Sequence, residues 1–129
     1  MVDATMPVMV IDDVATMRHI LCRLLAKIGF ADVEAVGDGH AALQRLAEKK
    51  FGLVISDWHM QPMNGIDLVR AMRGRYDFMR VPVIFISAEA NPNNLMAAKE
   101  AGARGFLVKP FSAEALKIKI DDIFGRFES

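Results

Sequence analysis

The strongest constraint on the fold of this chain is a series of short apolar runs. Most are closed by a polar residue, and each is followed by a longer amphipathic stretch. Pro7-Val8-Met9-Val10-Ile11 is wholly apolar and stops at Asp12-Asp13. Phe51 to Ser56 is a second run of this type, ending at Asp57. Val81 to Ile86 ends at Ser87, and Arg104 to Val108 ends at Lys109-Pro110. Val33 to Val36 completes the set. Short apolar runs without alternation suit strands buried on both faces.

Between these runs the period changes. From Ala15 to Ile28, Met17, Leu21, Leu24 and Ile28 recur at helical spacing, joined by Ile20 and Leu25. Arg18, His19, Arg23 and Lys27 take the other side, and Gly29 supplies a stop. Gly39 to Lys49, Ile66 to Arg73 and Asn94 to Ala101 also read as helices. The last helix is capped by Ser112 and carries Leu116, Ile120, Ile123, Phe124 and Phe127 on one stripe. Five β units, each followed by a helix, predict an α/β fold. Its five-stranded parallel sheet is covered on both faces, with right-handed crossovers.

The 129 residues suit one domain spanning 1–129, burying roughly two-thirds of its unfolded surface. Sixteen Lys+Arg balance sixteen Asp+Glu, for a formal net charge of zero. That removes the positive excess on which binding to nucleic acid or an anionic membrane relies. The single cysteine, Cys22, allows no internal disulfide and no Cys-based zinc site. No apolar run approaches the roughly 20 residues of a membrane span. Met1-Val2-Asp3-Ala4-Thr5 lacks the basic start of a secretory signal, so the cytoplasm is the expected compartment. No DNA-binding helix-turn-helix is expected after the last helix, so the expected action is through protein–protein contact, or there is no direct output at all. Arg70, Arg73, Arg75 and Arg80 read as a solvated face.

In a parallel sheet all strand C-termini lie on one edge, and ligands bind in the crevice beyond it. With the first strand central, Asp12, Asp13, Asp57, Ser87 and Lys109 converge there. Three neighbouring carboxylates repel one another unless a cation binds. Magnesium, a hard cation taking carboxylate, water and phosphate oxygens, is the natural occupant. A carboxylate beside a metal and a lysine can attack phosphorus to form an aspartyl phosphate. The metal and Lys109 would then neutralise the transferring oxygens. Asp57, alone at the end of a central strand, is the nucleophile candidate, and Ser87 can donate to the product phosphoryl group.

Ile11-Asp12-Asp13, Ile55-Ser56-Asp57-Trp58, Met63-Asn64-Gly65, Ser87-Ala88-Glu89-Ala90 and Val108-Lys109-Pro110-Phe111 occur in this order at strand ends. In this pattern, and in Ala15-Thr16-Met17-Arg18, Gly29-Phe30 and Asp38-Gly39, the chain resembles response-regulator receiver domains. It is most similar to the single-domain chemotaxis (CheY) type, over almost its whole length. The resemblance implies the doubly wound, flavodoxin-like strand order 2-1-3-4-5. It implies that Asp57 accepts a phosphoryl group from the phosphohistidine of a CheA-like sensor histidine kinase. Magnesium would be held by Asp13, Asp57 and the His59 backbone carbonyl, with Asp12 acting through water, and Lys109 would pair with the phosphate. Ser87 and Phe106 would form the switch, and the Lys109-Pro110 bond would be cis. Ala90, Asn94, Phe106 and Lys119 are the expected partner surface. A flagellar motor switch protein and a phosphatase are further candidate partners, and the chain is expected to be a monomer without an external enzymatic product.

The chain departs from close relatives in several places. His59 stands where asparagine is commoner, Ser87 where threonine is, and Phe106 where tyrosine is; Gln61-Pro62 shifts the proline of that loop. Ser87 also suits a helix cap, and Phe106 plain core packing. Two other roles compete. One is a phosphate sink draining a shared kinase. The other is an aspartyl-phosphate phosphohydrolase, disfavoured because the second acid such enzymes carry two residues after the nucleophile is here His59. A flavin module is disfavoured by the acidic Asp13-Val14-Ala15-Thr16 loop, which lacks a phosphate cradle.

Overall fold

The computed structural model describes residues 4–61, 63–75, 78, 80–88 and 91–125. Five strands and five helices alternate along the chain: β1 (Val8–Ile11), α1 (Ala15–Ile28), β2 (Val33–Val36), α2 (Gly39–Glu48), β3 (Leu53–Asp57), α3 (Gly65–Arg73), β4 (Val83–Ser87), α4 (Pro92–Ala101), β5 (Gly105–Val108) and α5 (Ala113–Phe124). All strand pairs are parallel, in the order β2-β1-β3-β4-β5. The expected fold class and strand order are both present.

The two-residue period of a strand sorts the core into two layers. Met9, Ile11, Val54 and Phe85 face one side, with Ala42 and Leu46 of α2, Leu68, Val69 and Met72 of α3 and Ala98 of α4. Val8, Val10, Leu53, Ile55, Ile84 and Ile86 face the other, with Leu21 and Leu25 of α1 and Leu116 and Ile120 of α5. All residues of β1, β3 and β4 are buried, which is why these strands read as continuous apolar runs. Each large side chain so buried stabilises the fold by roughly 1.5–3 kcal/mol. The edge strand β2 keeps one exposed position and carries ion pairs from Glu34 to Arg45 at 2.8 Å and to Lys49 at 3.5 Å, with Asp32 just before the strand pairing Lys49 at 2.9 Å.

Several boundaries differ from the sequence reading, each for a local reason. Helix α4 starts at Pro92 rather than Asn94. Asn91 caps it by accepting from the Asn93 N–H at 2.8 Å, and a proline in the first turn forfeits no helical hydrogen bond. Strands β3 and β4 begin later than Phe51 and Val81, and Asp57 and Ser87 are their last residues rather than the residues beyond them. Asn64 caps α3 from the Asp67 N–H at 2.8 Å, and Ser112 caps α5. The Lys109-Pro110 bond is cis. Arg73 is not part of a solvated face. It is half-buried and donates to Val81 O at 2.9 Å and Gly102 O at 3.0 Å, bracing α3 against the start of β4 and the end of α4. Burial, with the Arg104 charge beside it, pushes its guanidinium below the usual range. Phe127, Pro62 and Ala90 lie outside the described residues. No helix among the described residues is long and apolar enough to cross a membrane.

Candidate functional site

Parallel pairing of β1 with β3 sets Ile11 beside Ser56, so the residues that follow, Asp12 and Asp57, leave the sheet side by side. Asp13 follows at the same edge. One carboxylate oxygen from each of Asp12, Asp13 and Asp57 lies within 4.8 Å of the others. Asp12 is fully buried, Asp57 is 8% exposed and Asp13 faces solvent. The cluster is therefore open on one side and closed on the other.

Asp12 is held on three sides. Its N–H donates to Val36 O at 3.2 Å, its Oδ1 accepts from the Val14 N–H at 2.9 Å, and its carbonyl accepts from Arg18 Nη1 at 2.8 Å. Its Oδ2 is buried and has no hydrogen-bond partner. The nearest cation is Lys109, whose Nζ lies 3.8 Å from that oxygen and 3.5 Å from Asp57 Oδ1. These distances are Coulombic rather than hydrogen-bonded. The Lys109 N–H donates to Ser87 O at 2.8 Å, tying the ends of β4 and β5 together.

Burial raises the Asp57 carboxyl above its ordinary range, and the negative charge of Asp12 adds to this; Lys109 opposes the rise. One ammonium thus does not balance three carboxylates. Burying an anionic oxygen without a partner is costly, and an all-oxygen donor set suits a hard divalent cation. The orphaned Asp12 Oδ2 and its acidic neighbours fit magnesium in donor type and charge.

Ser87 is fully buried at the end of β4, next to the cluster's strand. His59 is exposed. It borders a cavity of about 350 Å³ with Trp58, Asn64, Asp67 and Arg70, outside the acid cluster. Phe106 lies opposite Phe85 in the β4–β5 register. The indole of Trp58 meets both rings edge-on, at 5.0 Å from Phe85 and 5.7 Å from Phe106. A line of aromatic contacts therefore runs from the residue after Asp57 to β5. Asn94 and Lys119 are half-buried on α4 and α5. The more exposed apolar side chains there are Leu95, Met96, Val108 and Ile118, which the sequence reading did not single out.

Two further residues near the cluster, Arg18 and Gly65, belong to the family pattern in the sequence but carry no role there. The helical period sets Arg18 on the outer side of α1, yet its guanidinium turns back onto the Asp12 carbonyl. Gly65 donates its N–H to Trp58 O at 3.1 Å. A Cβ there would lie 2.5 Å from the Phe85 ring and 2.9 Å from Asp57 O. Neither has a signature in periodicity, because each acts through a backbone contact to another element.

The chain matches the family described as "Response regulator receiver domain" over residues 8–121. It is 40% identical over 121 residues to chemotaxis protein CheY of Pseudomonas aeruginosa, covering 94% of this chain and 98% of that protein. It is likewise 40% identical to chemotaxis protein CheY-3 of Vibrio cholerae, covering 94% and 93%. Among solved structures, CheY4 of Vibrio cholerae aligns with a TM-score of 0.85 at 31% identity, covering 91% of this chain and 97% of that one. Likeness of this extent, in sequence and in sheet order alike, makes the chain a member of the response regulator receiver family.

Proposed function

We propose that this chain is a phosphorylation-controlled binding module of a two-component pathway, of the chemotaxis kind, with Asp57 as phosphoryl acceptor. A carboxylate oxygen of Asp57 attacks the phosphorus of a sensor-kinase phosphohistidine. The new P–O bond replaces the P–N bond, and the imidazole leaves with its electron pair and takes up a proton. Asp12, Asp13, Asp57 and the His59 carbonyl would hold magnesium, which when bound supplies positive charge for the phosphoryl oxygens. The Lys109 ammonium pairs with the same oxygens. Phosphorylation adds about −1.5 to −2 charges and three acceptor oxygens at a partly closed site. The Ser87 hydroxyl donates to one of them, and Phe106 repacks to follow. The α4-β5-α5 surface, where Leu95, Met96, Val108 and Ile118 are exposed, then changes its fit to a partner protein. The module hydrolyses its own aspartyl phosphate and turns over no external substrate.

The observation that carries this reading is the buried, unpartnered Asp12 Oδ2 in a three-carboxylate cluster facing Lys109. The chemotaxis assignment is supported by the names of relatives at 40% identity over 94% of the chain. Trp58 adjoins Asp57 and is the only tryptophan, so its emission can report the site. Emission is expected to respond to magnesium, and then to acetyl phosphate or beryllofluoride. Asp57→Asn should abolish the second response with the fold intact, and a phosphate-dependent response surviving in that variant would assign the acceptor elsewhere. Partner capture with and without beryllofluoride then distinguishes an output module from a phosphate sink, which would gain no partner.

A further inference from the structure

The geometry points to Arg18 as a positioning residue that orients the Asp12-Asp13 pair and so sets the affinity of the acid cluster for a divalent cation. This inference rests on the reading of that cluster as a magnesium site.

Arg18 joins three elements. Its backbone lies in the first turns of α1, and its N–H donates to Val14 O at 3.1 Å. Its Nη1 donates to the Asp12 carbonyl at 2.8 Å, at the point where β1 ends. Its guanidinium also lies against Gly37, in the β2–α2 turn. A Cβ on Gly37 would sit 3.4 Å from Nη1 and 3.9 Å from Cζ, in ordinary van der Waals contact with the guanidinium. Gly37 is not among the glycines with positive φ, so its backbone does not require glycine.

Besides Arg18, the β1–α1 connection is held by the Asp12 N–H on Val36 O and by the Val14 N–H on Asp12 Oδ1, and neither of these reaches the Asp12 carbonyl. Val14 occupies the N-cap position of α1 and offers no side-chain cap. The usual device, a Ser, Thr, Asp or Asn accepting from the first turn, is absent at that residue. Asp12 Oδ1 reaches the Val14 N–H instead, which leaves Oδ2 as the one oxygen of that carboxylate aimed at the cluster. Turning the Asp12 peptide would move Oδ2 and the following Asp13 together. The Arg18 bond to the Asp12 carbonyl fixes that peptide. A charged donor on a neutral carbonyl is among the stronger hydrogen bonds. Removing a group that holds a metal ligand from behind typically costs about 10–100-fold in metal affinity.

Charge and position predict opposite signs here. Arg18 is a cation beside a cation site, so by Coulomb repulsion alone its removal should tighten magnesium binding. By positioning, its removal should weaken binding.

The test is a magnesium titration followed by Trp58 emission, on the wild-type chain, Arg18→Ala and Arg18→Lys, with thermal unfolding of each measured without magnesium. Arg18→Ala is expected to raise the magnesium Kd roughly tenfold, with Arg18→Lys between the two. A Kd in Arg18→Ala equal to or below the wild-type value would overturn the inference, even where the thermal midpoint drops, since that marks a purely structural role. Where Arg18→Ala does not fold, Arg18→Lys decides: weaker binding than wild type supports positioning, and equal or tighter binding overturns it. Failure of the wild-type chain to bind magnesium would instead remove the proposed cation site itself, which separates the two failures.

Discussion

The ammonium of Lys109 stands 3.5 Å from Oδ1 of Asp57, although the two residues leave different strands, β5 and β3, with β4 between them. This ion pair crosses the intervening strand end above the sheet edge. Together with the 3.8 Å approach of the same ammonium to Asp12 Oδ2, it brings the end of β5 to the acid cluster.

Asp57 has a carboxyl raised by burial and by Asp12, and lowered less by Lys109. For a group whose folded value is raised, its stabilising contribution is full below the ordinary value of 3.8 and is lost as pH rises through the folded value. The Asp57 contribution to the stability of the metal-free protein is therefore expected to fall as pH rises above about 4. Asp57→Asn should flatten that slope and stabilise the metal-free fold at neutral pH by roughly 1 kcal/mol, the scale of one like-charge contact near water. Urea unfolding across this pH range, with a chelator present, checks it; an unchanged slope in Asp57→Asn would count against the repulsion.

Lys109 is the one lysine within salt-bridge distance of the cluster among the described residues. Lys109→Ala should slow phosphorylation by acetyl phosphate by about 10²-fold, the usual loss when one preorganised charge is removed from a transition state. The magnesium Kd should tighten rather than weaken, because a competing cation has gone. Intact-mass measurement of the phosphoryl adduct over time, paired with a magnesium titration, reads both.

Trp58 touches Phe106 edge-on at 5.7 Å. If the ring of Phe106 repacks on phosphorylation, beryllofluoride should remove or alter ring-to-ring nuclear Overhauser contacts between Trp58 and Phe106. Ser87→Ala should still bind beryllofluoride at Asp57 yet leave those contacts as in the free protein. Identical contacts in the wild-type chain with and without the mimic would rule out Phe106 as a moving part.

Gly65 lets the start of α3 lie against Asp57 O and the Phe85 ring, where a methyl group would meet the backbone at 2.9 Å. Gly65→Ala should destabilise the fold by about 1–3 kcal/mol, the usual cost of overpacking. Because one of the obstructing atoms is the carbonyl oxygen of Asp57, magnesium affinity should fall as well. Denaturant midpoints and a parallel titration separate the two effects.

The sequence by itself determined the layout. β1, β3 and β4 are buried on both sides, so their apolar character was visible as uninterrupted runs, and the helices between them carried a clear 3.6-residue period. The polar residue that closes every run but Val33 to Val36 was equally visible, so Asp12, Asp13, Asp57, Ser87 and Lys109 could be marked as belonging to one edge once the sheet was known to be parallel. The order of the strands was different: it entered through likeness to a family, since pairing partners leave no mark in periodicity.

The tertiary structure alone decided what depends on distance between elements. Only the side-by-side register of β1 and β3 brings the three carboxylates within 4.8 Å and leaves Asp12 Oδ2 without a partner. Only the folded chain turns Arg18 inward and makes Arg73 a brace. Both arginines sit at helix positions that pattern assigns to water. The physical reason is that amphipathic periodicity records where a side chain leaves the backbone, while a long flexible side chain chooses its contact from whatever carbonyl the fold brings within reach.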